Sequence, residues 1–253
     1  MSQCSQFNDM IKKMSKFIVD APEVKLLCHF DGNLTDSSVY TRAPIIVGAG
    51  LSYKTGGSYA PFTSLYASYA VSILGTSTAG KRHDGYIGYD ISDVDLSGSF
   101  CIDYFYRPYG TTYGHHPMAL IPLGVEDTTL YHIQDSPLRH YDDTSTTTGS
   151  YTYNPATQQQ EFVKMTRYTS GPRHVAVTRD ENNVLRWFYN GTLVSSSTNS
   201  YNFTSKEIQL ARTYSNGTGA RLYVDELRLV SGSPCYTENF TPPTKPHTLI
   251  VEE

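Results

Sequence analysis

Arg173-His-Val-Ala-Val-Thr-Arg-Asp180, with Leu185-Arg-Trp-Phe-Tyr-Asn-Gly-Thr-Leu-Val194 close behind it, is the stretch whose reading decides the fold of this 253-residue chain. His174 to Thr178 alternates, placing Val175 and Val177 on one face and a polar set on the other. Leu185 to Tyr189 reads as a second strand. Asn190-Gly191 is a preferred pair for a two-residue hairpin turn and leads into Thr192-Leu-Val194. Toward the C-terminus, Glu207 to Ala211 and Arg221 to Val230 predict two more strands, separated by the turn formers Ser215-Asn-Gly-Thr-Gly219. Beyond Pro234 an extended tail is expected, because Pro242, Pro243 and Pro246 offer no N–H to a ladder.

Toward the N-terminus, Phe100 to Tyr106 is rich in aromatic and β-branched residues and ends at Arg107-Pro108, as a central strand would. Val24 to Phe30 predicts the opening strand, turned by Asp31-Gly32-Asn33, and Ile45-Ile-Val47 is a further apolar run. Gly48 to Gly85 reads as short strands and turns. Residues 109 to 159 look least regular. Two strands are expected there, Met118 to Leu123 and Leu130 to Ile133, among turn formers at His115-His116-Pro117, Asp142 to Gly149 and Asn154-Pro155. Long surface loops of this kind carry binding function. At the start, Phe7, Met10, Ile11, Met14, Phe17 and Ile18 recur at helical spacing, predicting a short amphipathic helix stopped by Pro22. No repeat of solenoid or propeller length is evident.

Hydrophobic content is 39% and charged content 17%, with 21 tyrosines, which suits strands whose outer faces are polar but uncharged. A formal net charge of −4, from 20 basic and 24 acidic residues, argues against sequence-independent nucleic-acid binding. Cys4, Cys28, Cys101 and Cys235 form no CxxC pair, so free buried thiols are the default reading. No run reaches the length of a membrane-spanning helix, and residues 1 to 20 lack a secretory h-region. The five Asn-X-Ser/Thr sequons, at Asn33, Asn190, Asn202, Asn216 and Asn239, are accordingly expected to be products of Asn/Thr-rich turns.

Four segments in fixed order then carry a resemblance. They are Leu26-Leu-Cys-His-Phe-Asp-Gly-Asn-Leu-Thr-Asp-Ser-Ser38, Ser99-Phe-Cys-Ile-Asp-Tyr-Phe-Tyr-Arg-Pro108, the Arg173 to Val194 hairpin, and Tyr223-Val-Asp-Glu-Leu-Arg-Leu229. Together they resemble the laminin G-like or concanavalin A-like jelly roll in the form common in bacteriophage structural proteins. Tyr236-Thr-Glu-Asn-Phe-Thr-Pro-Pro-Thr244 is similar to a tail of phage-encoded members. The resemblance implies an all-β, concanavalin A-like antiparallel β-sandwich over residues 23–246. An N-terminal helix and linker over 1–22 would serve as an attachment segment, and 247–253 would form a tail.

What it implies for function is a non-enzymatic virion structural protein on a phage head, tail or fibre, made in the host cytoplasm. Its partners would be other virion proteins and further copies of itself in a homo-oligomer. The alternative is a carbohydrate-binding or adhesion module recognising a host-surface glycan. A glycoside hydrolase with a degenerate site comes third, because no Glu-X-Asp-X-Glu triplet is present to flank a scissile bond. No catalytic residue is assigned. Asp93 and Asp95 alternate in a turn and read as solvated or capping residues.

Tyrosine pairs a flat apolar face with a hydroxyl and suits stacking on sugar rings. The candidate ligand-binding residues are therefore those of the irregular middle: Tyr109, Tyr113, Tyr141, Tyr151 and Tyr153. No cofactor is required. A structural calcium is implied by the resemblance, with Asp225 and Asp31 as ligands together with backbone carbonyls. An Asp225 that merely accepts backbone hydrogen bonds is the open alternative. On a regular strand Asp225 and Glu226 would point to opposite faces.

Overall fold

The computed structural model describes residues 22–47, 49–54, 70–75, 86–108, 115–122, 138–143, 147–165, 173–203, 205–213 and 221–249. In chain order the strands are β1 (Glu23–Cys28), β2 (Pro44–Val47), β3 (Ala49–Lys54), β4 (Ala70–Gly75), β5 (Tyr86–Asp90), β6 (Phe100–Pro108), β7 (His115–Pro122) and β8 (Leu138–Asp143). They continue with β9 (Thr147–Asn154), β10 (Gln159–Met165), β11 (Arg173–Arg179), β12 (Val184–Tyr189), β13 (Thr192–Thr198), β14 (Ser205–Thr213) and β15 (Arg221–Ser231). The described residues are all-β. The helix expected before Pro22 and the strand expected at Leu130 to Ile133 lie outside them.

Two antiparallel sheets form the sandwich. One runs β13-β12-β11-β6-β15-β4-β3, with β1 also paired to β15, and the other runs β10-β9-β8-β7-β14-β5-β2. The hairpin expected at Asn190-Gly191 joins β12 to β13, and both turn residues have positive φ, 48° and 75°, as the favoured tight turn requires. Phe100 to Tyr106 is central as expected, flanked by β11 and β15.

The core lies between the sheets and follows a period of two. Phe100, Ile102, Tyr104 and Tyr106 of β6, Val175 and Val177 of β11, and Leu185, Trp187 and Tyr189 of β12 meet Ile87, Met118, Leu120, Leu138, Ile208 and Leu210 of the facing sheet. Buried polar groups bridge the layers: Trp187 Nε1 donates to Thr152 Oγ1 at 3.0 Å, and the Tyr104 hydroxyl lies 2.7 Å from His140 Nδ1. Arg179 is fully buried at the end of β11, donating to the carbonyls of Gly98, Tyr201 and Leu96, with its guanidinium over the Phe100 and Phe203 rings. The opening Asp-Ser motif closes its own loop: Asp36 accepts from the backbone N–H groups of Leu27, Ser38 and Arg42 and from the Ser38 hydroxyl.

Two expectations need correction. First, β7, β8 and β9 stand within the stretch expected to be irregular: β8, β9 and β10 form a meander in continuous register, and β7 already begins at His115. Thr, Ser and Gly favour turns locally, yet here they occupy ladders whose partners lie in adjoining strands. Second, β11 has no exposed polar face, since every residue from Arg173 to Arg179 is buried. The tail beyond Pro234 is extended, as expected.

The tail explains the buried face. Residues 232–249 return across the outer side of the β13-to-β15 sheet as a strap. Tyr236 stacks on Phe240 with ring centroids 3.7 Å apart and planes within 5°, and the pair sits edge-on to Phe188 and His174. The Phe240 N–H donates to the Gly191 carbonyl at 2.9 Å, and Asn239 Oδ1 accepts from the Leu193 N–H at 2.8 Å. The strap is thus buckled to the hairpin turn.

Candidate functional site

On the face of the seven-stranded sheet turned away from the core, cross-strand register builds one row, exposed at Phe162 and buried at Ala119 and Gln209. Phe162 pairs with Tyr151, Tyr151 with Arg139, Arg139 with Ala119, Ala119 with Gln209, and Gln209 with Gly88. The facing alternates, Leu138, His140, Ser150 and Thr152, are buried toward the core, so the period of two assigns the row to the opposite face. Phe162 is 39% exposed, and its ring lies across Gly149, where an added Cβ would come within 2.4 Å of it. Gly149 pairs with Tyr141 on β8, so that tyrosine stands one step along the same face. Glycine here gives the aromatic ring a seat on the backbone.

Of the five tyrosines singled out, Tyr109 and Tyr113 lie outside the described residues. Tyr141 and Tyr151 belong to strands β8 and β9, not to loops, and the meander brings them together. Tyr153 has the same parity as Tyr151. It is half-buried, its ring edge-on to Tyr201 at 4.9 Å, and its carbonyl accepts from Asn199 Nδ2. Phe162 and Arg139 were missed. Gln159 to Met165 does not alternate and Arg139 stands alone, so neither residue has a local signal.

A second polar region lies under the strap. Asp103 on β6 accepts two hydrogen bonds of 3.0 Å from Arg228, one to each oxygen, and a third of 3.0 Å from the Tyr236 hydroxyl. His174 Nε2 and His247 Nε2 stand 3.4 and 3.3 Å from Asp103 Oδ2. Burial alone would raise the Asp103 carboxyl, but Arg228 and then His247 and His174 hold it well below the usual carboxylate range. Burial pushes the His247 imidazole down to about 4, against the pull of Asp103. These three residues bring ligand atoms within 4.8 Å of one another. The Arg228 guanidinium already occupies both oxygens of Asp103, so the charge is balanced there without a metal.

The two residues expected to hold calcium sit at the end of this region. β15 changes neighbour midway: Arg221 to Val224 pair with β4, whereas Leu227 to Ser231 pair with β1. A bulge at the changeover puts Glu226 at φ 51°, so Asp225 and Glu226 do not alternate as in a regular strand. Both are buried. Glu226 accepts from the His247 N–H at 2.8 Å and contacts His29 Nδ1 at 2.9 Å, a contact that raises the His29 pKa despite partial burial. Asp225 Oδ1 has no hydrogen-bond partner. Burial, then repulsion from Glu226 and Asp31, pushes the Asp225 carboxyl up to about 9. An orphaned buried oxygen among oxygen-only carboxylate neighbours fits a hard divalent cation.

Elsewhere both acidic residues of the β5–β6 connection have partners. Asp93 pairs with Arg42 at 2.7 Å, and Asp95 accepts from the Ser97 N–H at 2.7 Å. Among the described residues no helix is long and apolar enough to cross a membrane.

No family model matches the chain, and no curated protein matches it in sequence. Its fold does match solved structures. The receptor-binding domain of botulinum neurotoxin type G superposes with a TM-score of 0.56 at 13% identity, over 84% of this chain and 48% of that one. The binding domain of botulinum neurotoxin DC in complex with rat synaptotagmin II gives 0.57 at 13% identity, over 84% and 48%. The botulinum neurotoxin serotype D ligand-binding domain in complex with N-acetylneuraminic acid gives 0.54 at 10% identity, over 84% and 48%. The chain therefore spans about half the length of these structures, 48% in each case. The likeness establishes a jelly-roll-like β-sandwich.

Proposed function

We propose that this chain is a non-enzymatic recognition module that binds a glycan on the outer face of its seven-stranded sheet. The observation that carries the reading is the exposed Phe162 ring seated over Gly149, in register with Tyr151, whose partner on the far strand is Arg139. Aromatic faces stack on sugar rings, and a guanidinium supplies donors to hydroxyl or carboxylate oxygens. Solved structures of this fold include one with N-acetylneuraminic acid bound, which supports the ligand class. On a glycan array the protein is expected to retain at least one class of glycan. Calorimetry should then show Phe162→Ala and Tyr151→Ala weakening it about tenfold, which corresponds to roughly 1.4 kcal/mol. Silence of the folded wild-type protein across the array overturns the reading.

Asp31 and Asp225 would hold a calcium ion in this module. The ion would supply positive charge at the seam where β15 exchanges β4 for β1, leaving the glycan face on the other sheet. The reading in which such a laminin G-like module is carried on a phage head, tail or fibre, as a homo-oligomer among other virion proteins, is supported by the Tyr236 to Thr244 motif. Mass spectrometry of purified particles tests it, and absence of the protein from them removes it.

A further inference from the structure

We infer that Cys101 and Cys235 form a redox-controlled latch, a disulfide that fastens the C-terminal strap to the sheet. Cys101 lies on β6, on the face opposite the core residues Phe100 and Ile102, and is fully buried. It belongs to a small apolar cluster with Val24, Leu27 and Val230, and Cys235 of the strap packs against that cluster together with Tyr236. A second contact fixes the same placement: Thr178, the β11 register partner of Cys101, donates its hydroxyl to the carbonyl of Tyr236, the residue after Cys235, at 2.9 Å. Burial apart, Cys235 is the first of the groups that raise the Cys101 thiol, as a neighbour in that cluster would. Both are free in this structure, and Cys235 is the one partly open to solvent.

Two thiols brought together from elements more than a hundred residues apart are the arrangement in which a bridge restrains the unfolded chain most. The chemistry needs a low-molecular-weight disulfide as oxidant. The accessible Cys235 thiolate attacks one sulfur of that disulfide, forming a mixed disulfide and releasing one small thiol. Cys101 then gives up its proton and displaces the second small thiol, so the protein loses two protons and two electrons and the oxidant takes up both. Burial pushes the Cys101 thiol up, so it reacts as the resolving partner and not as the first nucleophile.

The test uses the full chain carrying Cys4→Ser and Cys28→Ser, incubated with oxidised or reduced glutathione. The expected product with oxidised glutathione is lighter by two hydrogens, yields one linked peptide pair containing Cys101 and Cys235, and melts roughly 5 °C or more above the reduced form. Cys235→Ser in the same background should lose both the mass change and the gain in Tm. An unchanged mass, or a glutathione adduct that persists on Cys235, overturns the bridge. A bridge that forms without raising Tm overturns its role as a fastening.

Discussion

Asp103 and Arg228 are register partners on the neighbouring strands β6 and β15, and their side chains meet in two parallel hydrogen bonds of 3.0 Å beneath the C-terminal strap. Such a pair is expensive to bury and far more expensive to break. The Tyr236 hydroxyl, reaching the same Asp103 oxygen, makes the strap a third member of the pair.

Arg228→Leu is expected to destabilise the fold by about 3–5 kcal/mol, because the Asp103 carboxylate would remain buried without its counter-charge. Asp103→Leu combined with Arg228→Leu should recover most of that loss. Urea denaturation of the two variants distinguishes them, and equal losses would show that packing, not charge, dominates the site.

Gly191 and Gly32 both have positive φ, 75° and 78°, yet they should respond differently to alanine. At Gly32 nothing lies within 4 Å of an added Cβ, so only backbone strain is incurred, about 1 kcal/mol. At Gly191 the new Cβ would fall 1.9 Å from the Phe240 carbonyl, so the strap must lift, and the cost should reach about 2–4 kcal/mol. Hydrogen exchange at Phe240 and Leu193 should accelerate in Gly191→Ala and stay unchanged in Gly32→Ala.

Acid should loosen the strap in a defined window. His247 is kept neutral by burial down to about 4, whereas an unfolded histidine takes up its proton near 6.5. Between these values the unfolded chain binds more protons, so the stability it confers is present at neutral pH and is lost as pH falls from about 6.5 to 4. Asp103, held well below its ordinary value, adds a further loss below the unfolded carboxylate range. Asp225 and His29, whose pKa values are raised, act in the opposite sense, so the test is differential: from pH 7 to 4 the urea midpoint of the parent chain should fall relative to that of His247→Gln.

Calcium should raise Tm relative to a chelator, by the equivalent of about 2.7 kcal/mol at a hundredfold excess over its dissociation constant. Asp225→Asn is expected to abolish the gain without lowering Tm in chelator, since the native carboxyl has no partner for Oδ1 to lose. Identical melting in calcium and chelator would show that Asp31 and Asp225 hold no ion.

The sequence alone determined the elements whose signals are local. Alternation in β11, the Asn190-Gly191 turn and the aromatic run of β6 are each set by neighbours within a few residues, and they sufficed for an antiparallel sandwich. The turn at Asp31-Gly32-Asn33 is likewise local: Gly32 has positive φ, and the Thr35 N–H donates to Asn33 Oδ1. What only the tertiary structure decided depends on partners distant in the chain. β15 has its bulge because β4 and β1 share one of its edges, which undid the expected divergence of Asp225 and Glu226. Tyr151 and Phe162 gain a common face only once β9 and β10 pair. β11 reads as half polar, yet it is wholly buried, because a strap more than fifty residues later covers its outer face. Periodicity reports how a strand alternates, but burial is set by whatever finally lies against each face.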